Sequence, residues 1–341
     1  MSARARGPAS GGGLSTRFFE RLRVALKRYA EGVHELGAPA SPRSIAEAEQ
    51  RLGRALPPVL RDLLGQWNGG YLFHDDVHLF GVAGTRPELD HLALVEGEIA
   101  FGETPGGALR LDEHDRVVSV DAETEARRIE GSDLERWLDA TMAREGLVYD
   151  REGEYRPEVF EGVDLAPRIA RKRAEAAVRA DPDAPAWREE LAEILLEAGK
   201  RERAAEELER AVALDPDSSP ALLALGGLRR VMGDEAAASA AFRGAGEAER
   251  EPAEAAFAFA QAARSARAAG LSDADTLAAR AIAAHPPLVE EQRAAADHLL
   301  AEGDLDGAEE RLAIARAVAP DDPRLASALA LLRARRSLRP L

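Results

Sequence analysis

The sequence predicts two domains of different class: an α+β domain with a mostly antiparallel sheet and flanking helices, then an all-α solenoid of repeats. Two observations lead to this prediction. Between residues 71 and 120, short runs rich in Val, Ile, Leu and Phe alternate with Gly, Asp and Pro, as in a strand meander. After residue 165, apolar residues recur at helical spacing within units of 34 residues.

The composition limits the classes of protein. The chain has 341 residues and no cysteine, which excludes disulfide frameworks, thiolate metal sites and cysteine nucleophiles. No run approaches the roughly 18 consecutive apolar residues of a membrane span. Residues 1–13 carry arginine without the apolar stretch of a secretory signal, so we expect a disordered segment there. The expected location is the cytoplasm, without membrane contact.

Charge is distributed unevenly along the chain. The net charge is −16 in total, with +5 in residues 1–70, −15 in residues 71–164 and −6 in residues 165–341. Because affinity for nucleic acids depends on Lys and Arg, the acidic middle segment disfavours a nucleic-acid partner. It favours encounter with a basic protein, although acidity that only maintains solubility is an equally good explanation.

The first domain opens with helices. Residues Leu14–Leu36 read as a helix whose arginines form a solvated face, which we favour over a membrane-surface helix. The stretch "SIAE" (Ser44–Glu47) is a capping box that opens a helix ending at Leu52. A third helix begins at Pro57-Pro58, since proline is tolerated at the first helical position.

The stretch "WNGG" follows that third helix. We interpret Trp67 mainly as a core aromatic, Asn68 as a hydrogen-bonding partner of the loop backbone, and Gly69-Gly70 as a left-handed helix cap. The strands come next, with a hairpin connection expected at Asp112–Asp115. The strand-like runs are "YLFHDDVHLFGV", "HLALVEGEIAFG", "ALRLD" and "RVVSVD". The acidic run "VDAETEARRIEG" is left open, and a second capping box at Ser132–Glu135 opens the closing helix.

This order of elements resembles the SUKH superfamily, which includes fungal cell-wall-synthesis regulators and many bacterial toxin-immunity proteins. The resemblance covers about residues 40–145. It implies that the Trp67–Gly70 turn is structural, lies beside a partner surface and carries no catalysis. The signature residues are Leu56, Pro57, Trp67, Asn68, Gly69, Gly70, Phe101, Gly102, Gly106 and Gly107.

The second domain is defined by its period. Asp181-Pro182 recurs as Asp215-Pro216, 34 residues later, and Gly199, Gly233 and Gly303 share one phase of the repeat. This pattern resembles the tetratricopeptide repeat, in which two amphipathic helices stack on those of the next unit. The units begin near Pro185, Ser219, Ala255 and Val289, with a helix before them at Leu165–Ala180 and a terminal helix after them at Arg324–Arg335.

The repeat resemblance also implies a partner groove. In such repeats the first helix of each unit lines the concave face, which suits a peptide bearing Lys or Arg. Ordinary solvated helix residues are the alternative interpretation. The groove candidates are Glu189, Glu193, Glu197, Arg230, Arg293 and Asp297.

Motifs for chemistry are few. If "HDDVH" is a strand, His74, Asp76 and His78 share one face, but a metal site would need a further ligand and none is evident. "GETPGG" has phosphate-loop glycine spacing without the required Lys and Ser/Thr. We therefore expect no enzyme, catalytic residue, metal or cofactor.

These inferences assign the chain as follows. Residues 1–13 are a disordered segment, 14–150 the SUKH-like domain, 151–164 a linker, 165–335 the repeat domain and 336–341 a tail. The expected function is that of an immunity protein whose acidic domain surface neutralises a basic toxin domain. The alternative is a repeat scaffold or adaptor that binds a cellular protein or peptide. The sequence leaves the oligomeric state open.

Overall fold

The computed structural model describes residues 13–82 and 97–337. The chain divides into two compact units, unit 1 (Met1–Ala198) and unit 2 (Gly199–Leu341). Unit 1 contains a seven-stranded antiparallel sheet with helices, and unit 2 contains helices, so the predicted α+β and all-α classes are confirmed. Residues 1–12 of the predicted disordered segment and 338–341 of the predicted tail lie outside the described residues.

The helices are numbered in chain order. Those of unit 1 are α1 (Thr16–Leu26), α2 (Pro42–Leu52), α3 (Pro58–Leu64), α4 (Leu134–Glu145), α5 (Pro167–Ala180) and α6 (Pro185–Glu197). Those of unit 2 are α7 (Arg201–Leu214), α8 (Ser219–Val231), α9 (Glu235–Ala248), α10 (Pro252–Ala268), α11 (Ala274–Ala284), α12 (Leu288–Glu302), α13 (Leu305–Val318) and α14 (Pro323–Ser337).

The main sheet is a meander in which each strand pairs antiparallel with the next in the chain. Its strands are β1 (Glu35–Leu36), β2 (Gly70–Leu72), β3 (Val77–Leu79), β4 (Ile99–Thr104), β5 (Gly107–Leu111), β6 (Val117–Val120) and β7 (Arg127–Gly131). A separate two-stranded hairpin consists of β8 (Phe160–Glu161) and β9 (Asp164–Leu165). The acidic run "VDAETEARRIEG", for which the sequence made no clear prediction, therefore contains β7. Its pairing with β6 outweighs its polar composition.

The core of unit 1 consists of large side chains between the sheet and the helices. Phe18 of α1, Leu60 of α3, Phe101 of β4 and Trp137 of α4 are fully buried. The rings of Phe101 and Trp137 meet edge to face, with their centroids 5.8 Å apart. This core fixes α4 against the sheet.

The first predicted helix is too long. We predicted Leu14–Leu36, but α1 ends at Leu26, and the chain turns through Gly32 (φ 92°) into β1. β1 then pairs with β2, Glu35 opposite Tyr71. Tertiary pairing thus overrides the apolar periodicity that continued as far as Val33.

Both predicted capping boxes are misplaced. α2 is capped by Ser41, whose hydroxyl accepts from the backbone N–H of Ser44 (3.0 Å), because Pro42 favours the first helical position. α4 is capped by Asp133, whose carboxylate accepts from the N–H of Arg136 (2.8 Å). Ser132, the predicted cap of α4, instead bonds to Asp181, the residue that follows α5.

The predicted helix cap at Gly69-Gly70 is also wrong. α3 ends at Leu64 and its cap is Gly65, which has an ordinary right-handed conformation (φ −68°). Gly69 does have a positive φ of 72°, but it serves the turn into β2. A Cβ at Gly69 would lie 2.5 Å from the backbone nitrogen of Gly81, so the close approach of two chain segments requires glycine here.

The first repeat helices belong to unit 1. α5 packs against α4, and α6 packs against β7 and α5. The compact units therefore divide at residue 198, within the repeat region. The predicted domain boundaries, as limits of segments that fold independently, stay a prediction.

Unit 2 has the predicted helix pairs. Gly233 and Gly303 have positive φ values of 83° and 85° in the turns within their pairs. α10 is buried largely through alanine side chains, which let neighbouring helices approach closely. α10 packs much more extensively against α13 than against α12, a departure from simple stacking of successive units. No helix in residues 13–82 and 97–337 is long and apolar enough to cross a membrane.

Candidate functional site

The signature residues of the first domain have structural surroundings. Leu56 and Phe101 are buried in the core, and Trp67 is half-buried against it, edge to face with Phe19. The Asn68 side-chain oxygen accepts from the N–H of Val82 (2.8 Å), which confirms its predicted bond to the loop backbone.

The signature glycines lie where chain segments approach closely. A Cβ on Gly102 would lie 2.5 Å from the carbonyl oxygen of His78. Gly70 (φ 126°) begins β2, Gly106 lies in the turn between β4 and β5, and Gly107 (φ 135°) begins β5. Pro57 precedes α3 as its cap residue.

The residues predicted to line a partner groove are divided between the two compact units. Glu189, Glu193 and Glu197 lie on α6 in unit 1, where Glu189 is 3.6 Å from Arg128 of β7. Glu193 and Glu197 are exposed. The remaining candidates lie in unit 2, and their role in binding stays a prediction.

Two of the unit 2 candidates pair with each other. On α12, Arg293 donates to Asp297 (2.7 Å) and also to Glu290. Arg230 of α8 instead bonds to Gln261 and lies 3.3 Å from Glu310 of α13.

Glu310 also accepts from Arg264 of α10 (2.5 Å). α13 packs against α10, and this packing brings Glu310 to Arg230 and Arg264. The repeat resemblance did not indicate Glu310.

The three residues of "HDDVH" have separate partners. His74 Nε2 is 3.1 Å from the carbonyl oxygen of Gly153, Asp76 accepts from the Tyr149 hydroxyl (2.6 Å), and His78 Nδ1 is 2.9 Å from Glu103. Within the described part of the chain, no group of three His, Asp or Glu side chains is arranged to hold a metal ion.

A cavity of about 730 Å³ lies within unit 1 and is the candidate site; we call it the junction cavity. Its volume is within the range of ligand pockets. The sheet contributes Val77 of β3, Glu130 of β7, and Thr104 and Pro105 at the β4–β5 turn. The helices α4, α5 and α6 and the segment 148–165 form the other walls.

α4 lines the junction cavity with one face. Trp137, Thr141, Arg144 and Glu145 follow the spacing i, i+4, i+7 and i+8 and therefore lie on the same side of the helix. Val148 continues this row just after the helix. α5 adds Arg173, α6 adds Trp187, and the β8–β9 hairpin adds Phe160, Val163 and Leu165.

Ion pairs bind the walls together. Arg144 donates to Glu190 of α6 (2.7 Å), and its guanidinium lies 4.3 Å from the centre of the Trp187 ring. Arg173 of α5 donates to Glu145 of α4 (2.5 Å). Burial lowers the pKa of the Arg144 guanidinium, yet its charge is retained beside Glu190. Both arginines are thus neutralised by protein carboxylates.

The tyrosine–aspartate pair near the β3 wall is also tied to the protein. Tyr149 donates to Asp76 and stacks on Tyr155, with ring centroids 4.8 Å apart. Burial and the bond to Asp76 raise the pKa of Tyr149, so this hydroxyl remains protonated.

Some polar groups of the walls lack partners. Among the described residues, the Glu130 carboxylate has no hydrogen bond or ion pair, although it lines the cavity and is close enough to Arg144 to interact with its charge. The indole nitrogens of Trp137 and Trp187 are buried, and no described residue accepts a hydrogen bond from them. The cavity therefore offers one carboxylate without a hydrogen-bond partner and two aromatic walls.

Apolar side chains are exposed at the mouth of the junction cavity. Val163, at the tip of the β8–β9 hairpin, is 91% exposed, and Tyr155 is 55% exposed. The same segment also carries three exposed carboxylates, those of Glu158, Glu161 and Asp164.

The comparisons with known proteins bear on both regions. A model of the SMI1 / KNR4 family (SUKH-1) matches residues 39–140, and a tetratricopeptide repeat model matches residues 167–229. The chain contains an SMI1/KNR4 (SUKH-1) domain followed by tetratricopeptide repeats. Both types are generally non-catalytic interaction domains, so this SUKH-1 and repeat protein has a protein-interaction role.

Several solved structures are similar to part of the chain. One is MamA, with 19% identity, coverage of 46% of this chain and 91% of that chain, and a TM-score of 0.32. Another is YrrB, described as a TPR protein with an unusual peptide-binding site (18%, 48% and 84%, TM-score 0.33). A third is TTC0263, a thermophilic TPR protein from Thermus thermophilus (24%, 48% and 91%, TM-score 0.29). A search of curated proteins gives no match.

Sequence reasoning missed the residues of the junction cavity. The residues from Trp137 to Val148 follow helical spacing, but this spacing alone indicates only a helix that closes the first domain. Trp187 lies one position away from the usual place of the large aromatic in a repeat unit, and this shift was the only sign in the sequence that its side chain has another partner. In the structure that partner is Arg144 of α4.

Proposed function

We propose that this chain is a non-enzymatic immunity protein of the cytoplasm, which neutralises a basic toxin domain through the surface of its SUKH-1 domain and the following segment. The observation that carries the proposal is the excess of exposed carboxylates over exposed arginines between residues 97 and 164. The exposed carboxylate residues are Glu103, Glu113, Glu123, Glu125, Glu152, Glu154, Glu158, Glu161 and Asp164; the exposed arginines are Arg127, Arg128 and Arg151.

This distribution supports a basic protein as partner. A surface that carries many exposed carboxylates and few cations raises the rate of encounter with a cationic surface, and this effect becomes smaller as salt is added. Each exposed ion pair contributes only about 0–1 kcal/mol, so several must act together. The same charge distribution disfavours nucleic acid, which binds through Lys and Arg.

The test begins with capture of the partner by the full-length chain from its native cells, with chemical cross-linking and mass spectrometry. The captured protein is then expressed in a tester strain with and without this chain. We expect a basic protein that arrests growth when alone and is tolerated when this chain is present. A captured protein that is acidic, or that is harmless to the tester strain, would contradict neutralisation.

A pair of charge reversals tests the surface itself. Changing Glu123 and Glu152 to Lys should weaken binding of the captured protein up to about tenfold at low salt. The matched control is the reversal of Glu202 and Glu206, two exposed carboxylates of α7 in unit 2. Equal weakening by both pairs would assign the effect to net charge rather than to the surface of unit 1.

A second candidate function is that of an adaptor whose repeats bind a cellular protein or peptide. It is favoured by the cluster of Arg230, Arg264 and Glu310, half-exposed charges on packed helices of unit 2. Glu310→Gln separates the two functions. It should weaken a partner held by the repeats and leave a toxin held by unit 1 unaffected.

A further inference from the structure

The junction cavity combines apolar walls with one unpaired charge. Trp137 and Trp187 are 1% and 8% exposed and form two of its walls, and Phe160 and Leu165 of the β8–β9 hairpin add to them. An apolar side chain that enters the cavity leaves water and contacts these apolar walls. The free energy gained is roughly proportional to the apolar area that is removed from water.

The charges of the cavity select for a cation. Arg144 and Arg173 are already paired with Glu190 and Glu145, at 2.7 and 2.5 Å. Glu130 interacts with the charge of Arg144, but no described residue forms a hydrogen bond or ion pair with its carboxylate, because Arg144 is bonded to Glu190 instead. An incoming ammonium or guanidinium group would therefore gain a charge-assisted hydrogen bond, whereas an incoming carboxylate or phosphate would meet unpaired negative charge.

The mouth indicates that the occupant is larger than the cavity. Val163 and Tyr155 are exposed apolar residues beside the opening, and a ligand confined within the cavity would leave them in water. A polypeptide that crosses the mouth covers both. The exposed Glu158, Glu161 and Asp164 of the same segment complement a basic chain.

We propose that the junction cavity is a peptide-binding site, which receives a large apolar side chain of the partner polypeptide while an adjacent Lys or Arg bonds to Glu130. This proposal rests on the protein-binding function proposed above and assigns a site to it. The site is formed jointly by the SUKH-1 domain, the segment 148–165 and the first two repeat helices, all of which belong to unit 1.

The experiment uses the full-length chain and a phage-displayed library of random dodecapeptides. We expect enriched peptides to carry Lys or Arg next to Leu, Ile, Met, Phe or Tyr. Synthetic versions are then titrated by calorimetry against wild type and variants. Enrichment of acidic peptides, or of none, would overturn the proposal.

Two substitutions test whether the enriched peptides bind in the junction cavity. Glu130→Gln should weaken binding about fivefold for a peptide with Lys and leave unchanged a matched peptide with norleucine in its place. Val163→Ser should weaken both peptides about tenfold. The control is Val24→Ser, because Val24 is an exposed valine of unit 1 on α1 that does not line the cavity.

The outcomes separate this proposal from the function on which it rests. If the captured cellular partner binds Glu130→Gln and Val163→Ser as tightly as wild type, the cavity is not its site and this proposal fails, while the immunity function stands. Circular dichroism of each variant checks that the fold is retained. Weaker binding by both variants, with Val24→Ser unchanged, supports the site.

Discussion

Asp181 and Asp215 occupy the same position of successive repeats and have nearly the same backbone conformation. Their φ and ψ angles are −129° and 85° for Asp181, and −134° and 86° for Asp215. Their side chains differ. Asp181 is fully buried and accepts hydrogen bonds from both the N–H and the hydroxyl of Ser132, each at 2.7 Å. Asp215 is half-exposed, and no described residue donates to its carboxylate.

The difference shows what a repeat period determines. The period sets the local backbone, which is why the two aspartates share their dihedral angles. The partner of each side chain depends on what packs nearby. α5 packs against α4 of the SUKH-1 domain, and burial there raises the pKa of Asp181. The first repeat helices are therefore repeats by sequence and part of unit 1 by packing.

Truncation should give the largest effect. A chain ending at residue 166 keeps β9 but lacks α5 and α6, so Glu145 loses Arg173 and Arg144 loses Glu190 and Trp187. We expect it to be less stable than residues 1–198 by about 5 kcal/mol or more, since leaving one buried ion pair broken costs about 3–5 kcal/mol. Urea denaturation followed by near-ultraviolet circular dichroism measures the difference. Equal midpoints would show that the SUKH-1 domain does not need these helices.

Trp187→Ala should cost about 3–5 kcal/mol of unit 1 stability, as for other buried aromatics. Its control is Trp67→Ala. Because Trp67 is only half-buried, we expect about 1–2 kcal/mol there. Thermal melts monitored by the remaining tryptophans compare the two. A larger loss for Trp67→Ala would mean that α6 is peripheral to unit 1.

Asp181→Ala should destabilise unit 1 by about 1–3 kcal/mol, because it leaves the partly buried N–H and hydroxyl of Ser132 without their acceptor. Asp215→Ala tests the same repeat position in unit 2 and should change stability by less than about 0.5 kcal/mol. Chemical denaturation of both variants of the full chain makes the comparison. Similar losses would assign the effect to the repeat position and not to the contact with Ser132.

His34 provides a pH test confined to unit 1. Burial and the nearby His74 lower the pKa of His34 to about 4, below its ordinary 6.5. The stability it contributes is therefore present above pH 6.5 and lost as pH falls through about 4. For a partly exposed group we expect a loss of about 1–2 kcal/mol. His34→Gln should flatten this dependence, while substitution of the exposed His298 of unit 2 should not; a slope unchanged in His34→Gln would contradict the assignment.

Sequence reasoning succeeded where information was local or repeated. Gly199, Gly233 and Gly303 share one phase of the repeat and predicted the turns, and all three have positive φ. Short runs rich in Val and Leu, joined by the expected hairpin connection at Asp112–Asp115, predicted β5 and β6. It failed where a distant segment decided the result. Ser132 reads as a helix cap until its bonds to Asp181 are known, and the residues after Leu26 read as helix until β1 pairs with β2.

The junction cavity was not predictable for the same reason. Its walls come from parts of the chain between residues 76 and 187, and no motif marks their meeting. Glu130 looked like one carboxylate among many in an acidic stretch, and Arg144 like an ordinary end of an amphipathic helix. Their roles depend on α5 and α6, which the repeat pattern assigned to the other domain.

Native-state hydrogen exchange tests most directly the claim that α5 and α6 are part of unit 1 and close the junction cavity. The full chain is labelled at increasing sub-denaturing urea, and peptides from each helix are followed by mass spectrometry. We expect amides of α5 and α6 to open with the same free energy and urea dependence as those of α4 and β7. If they open instead with α8 and α9, the first repeat belongs to unit 2 in solution and the cavity is not a built site.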